Sequence, residues 1–139
     1  VEARAAANRG EVPVGAVLID PDGKVLARAG NRPRDLNDPT AHAEILATRT
    51  ACNALGTERL PSCELSVTLK PCPMCASAIS QARIARVYYG ASDPKSGGVA
   101  QGPRVFDHPQ SHHVPEVYDG INAEPCEALL KDFFRQKRP

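Results

Sequence analysis

Leu65-Ser66-Val67-Thr68-Leu69-Lys70-Pro71-Cys72-Pro73-Met74-Cys75 is the stretch whose reading decides the fold. Residues 65–69 read as a strand, and the small residues after Pro73 read as a helix running to about residue 81. Pro73 suits the first turn of that helix, where its missing N–H leaves no bond unmade. Upstream, residues 2–8 read as the end of a helix closed by Gly10. Residues 14–19 and 24–29 read as two strands joined by the turn Pro21-Asp22-Gly23. A loop with two prolines covers 31–40. Residues 42–55 turn helical, with Ile45, Leu46, Thr48 or Arg49, Cys52 and Leu55 at three-to-four spacing and Gly56 as the stop. Downstream, 86–90 is a fourth strand and 91–113 a long loop with room for a short helix. Residues 114–118 make a last short strand, and 122–137 a final helix with Pro125 in its first turn. Two strands, then helices alternating with strands, give an α/β sandwich around one mixed sheet.

Composition narrows the function classes. At ~150 residues per domain, 139 residues imply one domain, 1–139. That length buries a real core without disulfides, and five cysteines make an odd number for a pairing framework. No run of ~18 apolar residues exists, so no membrane span is expected. Val1-Glu2-Ala3-Arg4 does not resemble a signal peptide, and cytoplasmic localisation follows as the expectation. The chain starts without Met in what reads as mid-helix, so a few leading residues are expected to be missing. In a reducing compartment, clustered thiols serve as metal ligands or catalysts. The formal charge of +1, from 17 basic and 16 acidic residues, does not exclude nucleic acid, because net charge says little about where charge sits.

Two segments carry chemistry: His42-Ala43-Glu44 at one helix start and Pro71-Cys72-Pro73-Met74-Cys75 at another. Cys72 and Cys75 sit three apart, so a helical turn brings both sulfurs to one side. With His42 they offer one nitrogen and two sulfurs, a set suited to zinc. Three protein ligands leave a fourth position for water, as in catalytic rather than structural zinc sites, and zinc lowers that water's pKa towards neutrality. Glu44, two residues from His42, has the wrong spacing for a fourth ligand on one helix face and suits a proton carrier beside the water. The competing readings are a closed structural zinc completed by Cys63, His108, His112 or His113, and a thioredoxin-like redox pair, which leaves His42 and Glu44 without a role. Cys52, Cys63 and Cys126 read as buried small hydrophobes. Tyr88 and Tyr89 should send one ring to each face of the sheet.

The His-x-Glu followed by Pro-Cys-x-x-Cys resembles the zinc nucleobase deaminases of the cytidine/deoxycytidylate deaminase superfamily. The likeness is closer to the bacterial tRNA-specific adenosine deaminases. It runs through Val14-Gly15-Ala16-Val17, Asn31-Arg32-Pro33, Asp38-Pro39-Thr40-Ala41-His42-Ala43-Glu44, Gly90-Ala91-Ser92-Asp93-Pro94-Lys95-Ser96-Gly97 and Leu129-Leu130-Lys131-Asp132-Phe133-Phe134-Arg135. This resemblance implies a cytidine-deaminase-like fold, a three-layer α/β/α sandwich around one mixed five-stranded sheet. It implies a homodimer with one Zn2+ per subunit, held by His42, Cys72 and Cys75, with Glu44 as the proton shuttle. The implied reaction is hydrolytic conversion of adenosine to inosine at the wobble position of an arginine tRNA, with the anticodon stem-loop as partner. By the same resemblance Asn31 contacts the flipped nucleotide and the Ala43 backbone contacts the base.

RNA contacts are expected from Arg32 and Arg34, from Asp93, Lys95, Arg104, His108, His112 and His113 in the long loop, and from Phe133, Phe134 and Arg135, with Lys137 and Arg138, at the end of the last helix. Cations suit phosphates and flat rings suit splayed bases. Neighbouring positions on a helix cannot both face one core, so one of Phe133 and Phe134 is expected to be exposed. The rival functions are a guanine or other free-nucleobase or nucleoside deaminase, and a zinc- and RNA-binding subunit without full catalysis. One departure from the family bears on that choice: Lys70 stands where members usually carry Glu before Pro-Cys, and Ser66 where they often carry an aromatic. Turned inward, Lys70 would favour the thiolates and weaken Glu44 as a base; turned outward or to a dimer interface, it would be nearly neutral.

Overall fold

The computed structural model describes residues 1–91, 106 and 113–137. Helix α1 (Glu2–Asn8) leads to the hairpin β1 (Gly15–Ile19) and β2 (Val25–Gly30). Then come α2 (Ala43–Leu55), β3 (Glu64–Leu69), α3 (Pro73–Gln81), β4 (Arg86–Ala91), β5 (Glu116–Tyr118) and α4 (Ala123–Lys137). The strands form one five-stranded sheet in the order β2-β1-β3-β4-β5. β1 is antiparallel to both β2 and β3, while β3, β4 and β5 run parallel. The sheet is therefore mixed, as expected. β5 starts at Glu116 rather than 114, because Pro115 has no N–H to give a ladder.

Strand alternation sorts the two faces. Ala16, Leu18, Leu65, Val67, Val87 and Tyr89 point into the main core. Helix α2 covers that face over β1 and β2, with α3 beside it. The buried side of α2 is Ala43, Glu44, Ala47 and Ala51, not the larger apolar residues the spacing favoured. Ile45, Leu46 and Cys52 are only half-buried, and Leu55 is exposed. Alanines at every fourth position let the helix axis lie close to the sheet, and the bulkier residues are pushed to its flanks.

The opposite face takes α1 over β1 and β2, and α4 over β4 and β3. Glycine makes both seats possible. A Cβ on Gly15 would lie 2.6 Å from the Ala3 nitrogen, and one on Gly90 would lie 2.7 Å from both the Cys126 sulfur and the Ile121 carbonyl oxygen. The two tyrosines divide as alternation requires. Tyr89 is buried in the core, and Tyr88 stacks on Tyr118 on the other face with ring centroids 5.0 Å apart.

The ends of β1, β2, β3 and β4 that matter for function lie at the same end of the sheet. Gly15 pairs with Gly30, and Leu69 with Ala91, so the loops leading to α2 and α3 emerge side by side. We predict that Gly90→Ala displaces α4 and costs about 1–3 kcal/mol by overpacking. The expected reading is a lower urea midpoint at unchanged slope. A wild-type midpoint would show that α4 does not rest on β4 at this point.

Candidate metal centre and active site

Both site-bearing helices begin on an extended residue that supplies its side chain to the site instead of capping its own helix. His42 is the N-cap of α2 (φ −73°, ψ 152°) and Cys72 the N-cap of α3 (φ −69°, ψ 170°). Neither makes a side-chain capping bond. At α2 the task passes to Asn31, whose Oδ1 accepts the Ala43 N–H at 2.8 Å. At α3, Pro73 stands in the first turn with no N–H to satisfy. Ahead of His42, the Asp38 carboxylate accepts from the Thr40 N–H (2.9 Å) and hydroxyl (2.7 Å), which fixes the approach to the helix. Those bonds hold the Asp38 carboxyl below its ordinary range.

The result is a tight cluster. His42 Nδ1 lies 3.6 Å from Cys72 Sγ and 3.4 Å from Cys75 Sγ. All three ligand atoms fall within 4.8 Å of one another, and no other metal-capable trio exists among the described residues. A tetrahedral ion with sulfur at ~2.3 Å and nitrogen at ~2.0–2.1 Å spaces its ligand atoms about 3.5 Å apart, so this trio fits zinc. The two thiols hold one proton between them. Cys75 donates to Cys72, which pulls the Cys72 thiol down to about 4, with His42 adding to the effect. The same bond, burial and Glu44 push the Cys75 thiol up. Two helix N-termini aimed at the cluster favour negative charge there.

Glu44 sits one residue into α2 and is 4% exposed. Burial pushes its carboxyl up to about 7, while its own backbone N–H and the His42 ring pull the other way. It hydrogen-bonds Cys75 but is not one of the clustered ligand atoms. A buried carboxyl that titrates near neutrality beside a metal trio is suited to carry protons.

The other expected site residues divide. Asn31 is buried and lines a cavity of about 260 Å³ that Pro33, Arg34, Phe133 and Phe134 also line. Phe134 is 45% exposed and Phe133 half-buried, so the outward-facing phenylalanine is Phe134. Arg135 does not line this cavity; it is exposed and lies 3.9 Å from Asp132. Asp93, Lys95, Arg104, His108 and His112 lie outside the described residues. His113 does not face the cluster. Its Nε2 bonds the Ile84 carbonyl at 2.7 Å, and its own carbonyl accepts from Ser80 at 2.6 Å. Cys63 is buried in the main core, so neither it nor His113 completes the trio. Cys52 and Cys126 are half-buried rather than buried, and burial raises all three of these free thiols. Lys70 is 2% exposed, so its side chain is not turned to solvent.

Residues 1–91 match the cytidine and deoxycytidylate deaminase zinc-binding region. The chain belongs to this family. It is 59% identical over 138 residues to a tRNA-specific adenosine deaminase of Agrobacterium fabrum, covering 99% of this chain and 90% of the relative. It superposes on a solved tRNA:A34 deaminase, studied for A-to-I editing at the wobble position of transfer RNA. There the TM-score is 0.91 at 59% identity, and 93% of each chain is covered. A guanine deaminase from Bacillus subtilis is more distant, with TM-score 0.64 at 33% identity, covering 97% of this chain and 87% of that one. The family's zinc-binding character and the trio's geometry agree: His42, Cys72 and Cys75 are placed to bind one zinc ion.

Sequence reasoning overlooked Glu11. It is an acid between Gly10 and an apolar strand, with no motif around it, yet it is 2% exposed and lines the same cavity as Asn31.

Zinc binding must displace the shared thiol proton and compete with a proton on His42, whose pKa its bond to Cys72 raises. Acidification therefore favours the metal-free form. We expect one zinc per chain at about pH 8, falling as the pH drops to about 5, by metal analysis after dialysis. Cys75→Ser should lose most of its zinc at both ends. Stoichiometric zinc in that variant, or a pH-independent content, would contradict the assignment.

Proposed function

We propose that this protein hydrolytically deaminates adenosine to inosine in tRNA, at the wobble position of the anticodon. The observation that carries the chemistry is the buried Glu44 carboxyl, held up to about 7, against a His42–Cys72–Cys75 trio within 4.8 Å. The substrate is supported by the near-full-length 59% identity to a tRNA-specific adenosine deaminase, against 33% to a guanine deaminase.

Zinc, when bound to the trio, supplies the Lewis acid that makes water nucleophilic at neutral pH. The chain's own residues do the rest. Glu44 accepts a proton from the attacking water and passes it to the ring nitrogen beside the amine-bearing carbon. It takes the second water proton as the tetrahedral carbon collapses and gives it to the departing amine, so adenosine and water become inosine and ammonia. A carboxyl balanced near neutrality can both take and return protons within one cycle. Asn31, fixed by its bond to Ala43, presents its side chain beside the cluster to hold the flipped nucleotide. The adenine must leave its stack to reach this site, and an anticodon loop is a cheap place to unstack a base. Arg34, and Arg32 on exchanging its Asp35 partner, would contact phosphates from the loop that carries Asn31, and the exposed Phe134 would stack on a neighbouring base.

The finer assignments rest on the family likeness. They are an arginine tRNA, recognition of the anticodon stem-loop alone, a homodimer and a cytoplasmic setting; one domain spanning 1–139 is proposed from the chain's length. Among the described residues no helix is long and apolar enough to cross a membrane.

The test is to incubate the zinc-loaded protein with an anticodon stem-loop bearing a wobble adenosine, and separately with guanine and cytidine. Inosine in the RNA and equimolar ammonia are expected, with Glu44→Gln retaining zinc and RNA binding but losing at least about a hundredfold in turnover. Ammonia from guanine alone would favour the free-base reading. No product from any substrate would favour a zinc- and RNA-binding subunit.

A further inference from the structure

Away from the metal cluster, the chain buries a second carboxylate that has no cationic partner among the described residues. Glu11 is 2% exposed, and its two oxygens accept two consecutive backbone N–H groups. Oε1 accepts from Arg34 at 3.3 Å and Oε2 from Asp35 at 2.9 Å. Those donors open a tight turn in which the Leu36 N–H bonds the Arg32 carbonyl (3.0 Å) and the Asp38 N–H bonds the Pro33 carbonyl (2.9 Å). The first N–H groups of such a turn have no partner within it. Pro33 has none to offer, and Glu11 satisfies the next two from more than 20 residues upstream.

The turn is continuous with the site. Asn31 stands at its start and caps α2 at Ala43. The Arg32 N–H bonds the Ala41 carbonyl at 3.0 Å, immediately before His42. Glu11 also borders the cavity shared by Asn31, Arg34 and Phe133. Burying a carboxylate is costly, and that cost is tolerable here because both oxygens take charge-assisted bonds. A neutral amide in its place would turn a donor towards one of the two N–H groups.

We propose that Glu11 is a positioning residue. Its carboxylate holds residues 31–38 in the shape that receives the RNA around the flipped adenosine. This rests on the RNA reading above. The chemistry stays on α2 and α3, whereas the loop carries Asn31, Arg32 and Arg34. Releasing the loop leaves the reacting groups in place but obliges the RNA to order it on binding. Apparent affinity falls by the fraction of molecules already ordered. The loss should appear in KM, with kcat largely spared.

The test uses Glu11→Gln in the zinc-loaded protein, with two readouts. Amide hydrogen exchange at Arg34 and Asp35 should quicken about tenfold or more, while α2 and α3 keep wild-type protection. On the stem-loop substrate, KM should rise about tenfold, with kcat within about threefold of wild type and zinc content unchanged. Unchanged exchange at those two amides would overturn the proposal. So would faster exchange with unchanged KM. A fall in melting temperature, with exchange raised throughout and zinc lost, would mean that Glu11 serves stability only. A wild-type protein that does not act on RNA would sink the RNA reading and the loop's assignment to RNA with it. The exchange measurement would then still decide whether Glu11 holds the loop.

Discussion

Everything at this site depends on one imidazole meeting two sulfurs across a gap between two helices. His42 Nδ1 lies 3.4 and 3.6 Å from Cys75 and Cys72, and the three residues come from chain segments about 30 positions apart. The meeting is possible because β1, β2, β3 and β4 present their site ends at the same end of the sheet. From there α2 and α3 start side by side with their positive ends towards the same point. N-cap residues ordinarily turn back to bond their own helix. Here both turn outward, and neighbours take up the satisfying of the backbone. Asn31 serves α2, and Pro73 removes the need at α3.

That arrangement links the fold to the chemistry. The alanine face of α2 lets the helix lie close to the sheet, which carries Glu44 into a buried position. Burial then raises its carboxyl to a value suited to proton transfer near neutrality. The same closeness brings the carboxyl against Cys75 without making it a fourth ligand. Among the described residues no fourth ligand joins the trio, and an acid–base group stands beside it. Short-range bonds among His42, Cys72, Cys75 and Glu44, together with burial, set the protonation of the cluster.

Much of this is legible in the sequence, because the deciding signals are local. A proline-flanked Cys-x-x-Cys after a strand and a His-x-Glu at a helix start fix both site helices and their ends. The mixed sheet follows from a hairpin succeeded by alternating helices and strands. What is not legible depends on contacts between distant segments. The buried side of α2 is alanine, while periodicity draws attention to Ile45, Leu46 and Leu55, because hydrophobicity outweighs size in reading a pattern and close packing rewards small residues. Glu11 carries no local motif, and its partners are backbone amides more than 20 residues away. Of the run Phe133-Phe134-Arg135, the two phenylalanines border the cavity while Arg135 stands exposed beside Asp132. Helical rotation by a single residue decides that, and a motif does not encode it.

Among the described residues His42, Cys72 and Cys75 alone are grouped to hold the metal. X-ray absorption at the zinc edge of the zinc-loaded protein tests this grouping most directly. Two sulfurs near ~2.3 Å and two lighter atoms near ~2.0–2.1 Å are expected, with the scattering signature of a single imidazole. Three or more sulfurs, or two imidazoles in a filled shell, would mean a closed structural site and would contradict it.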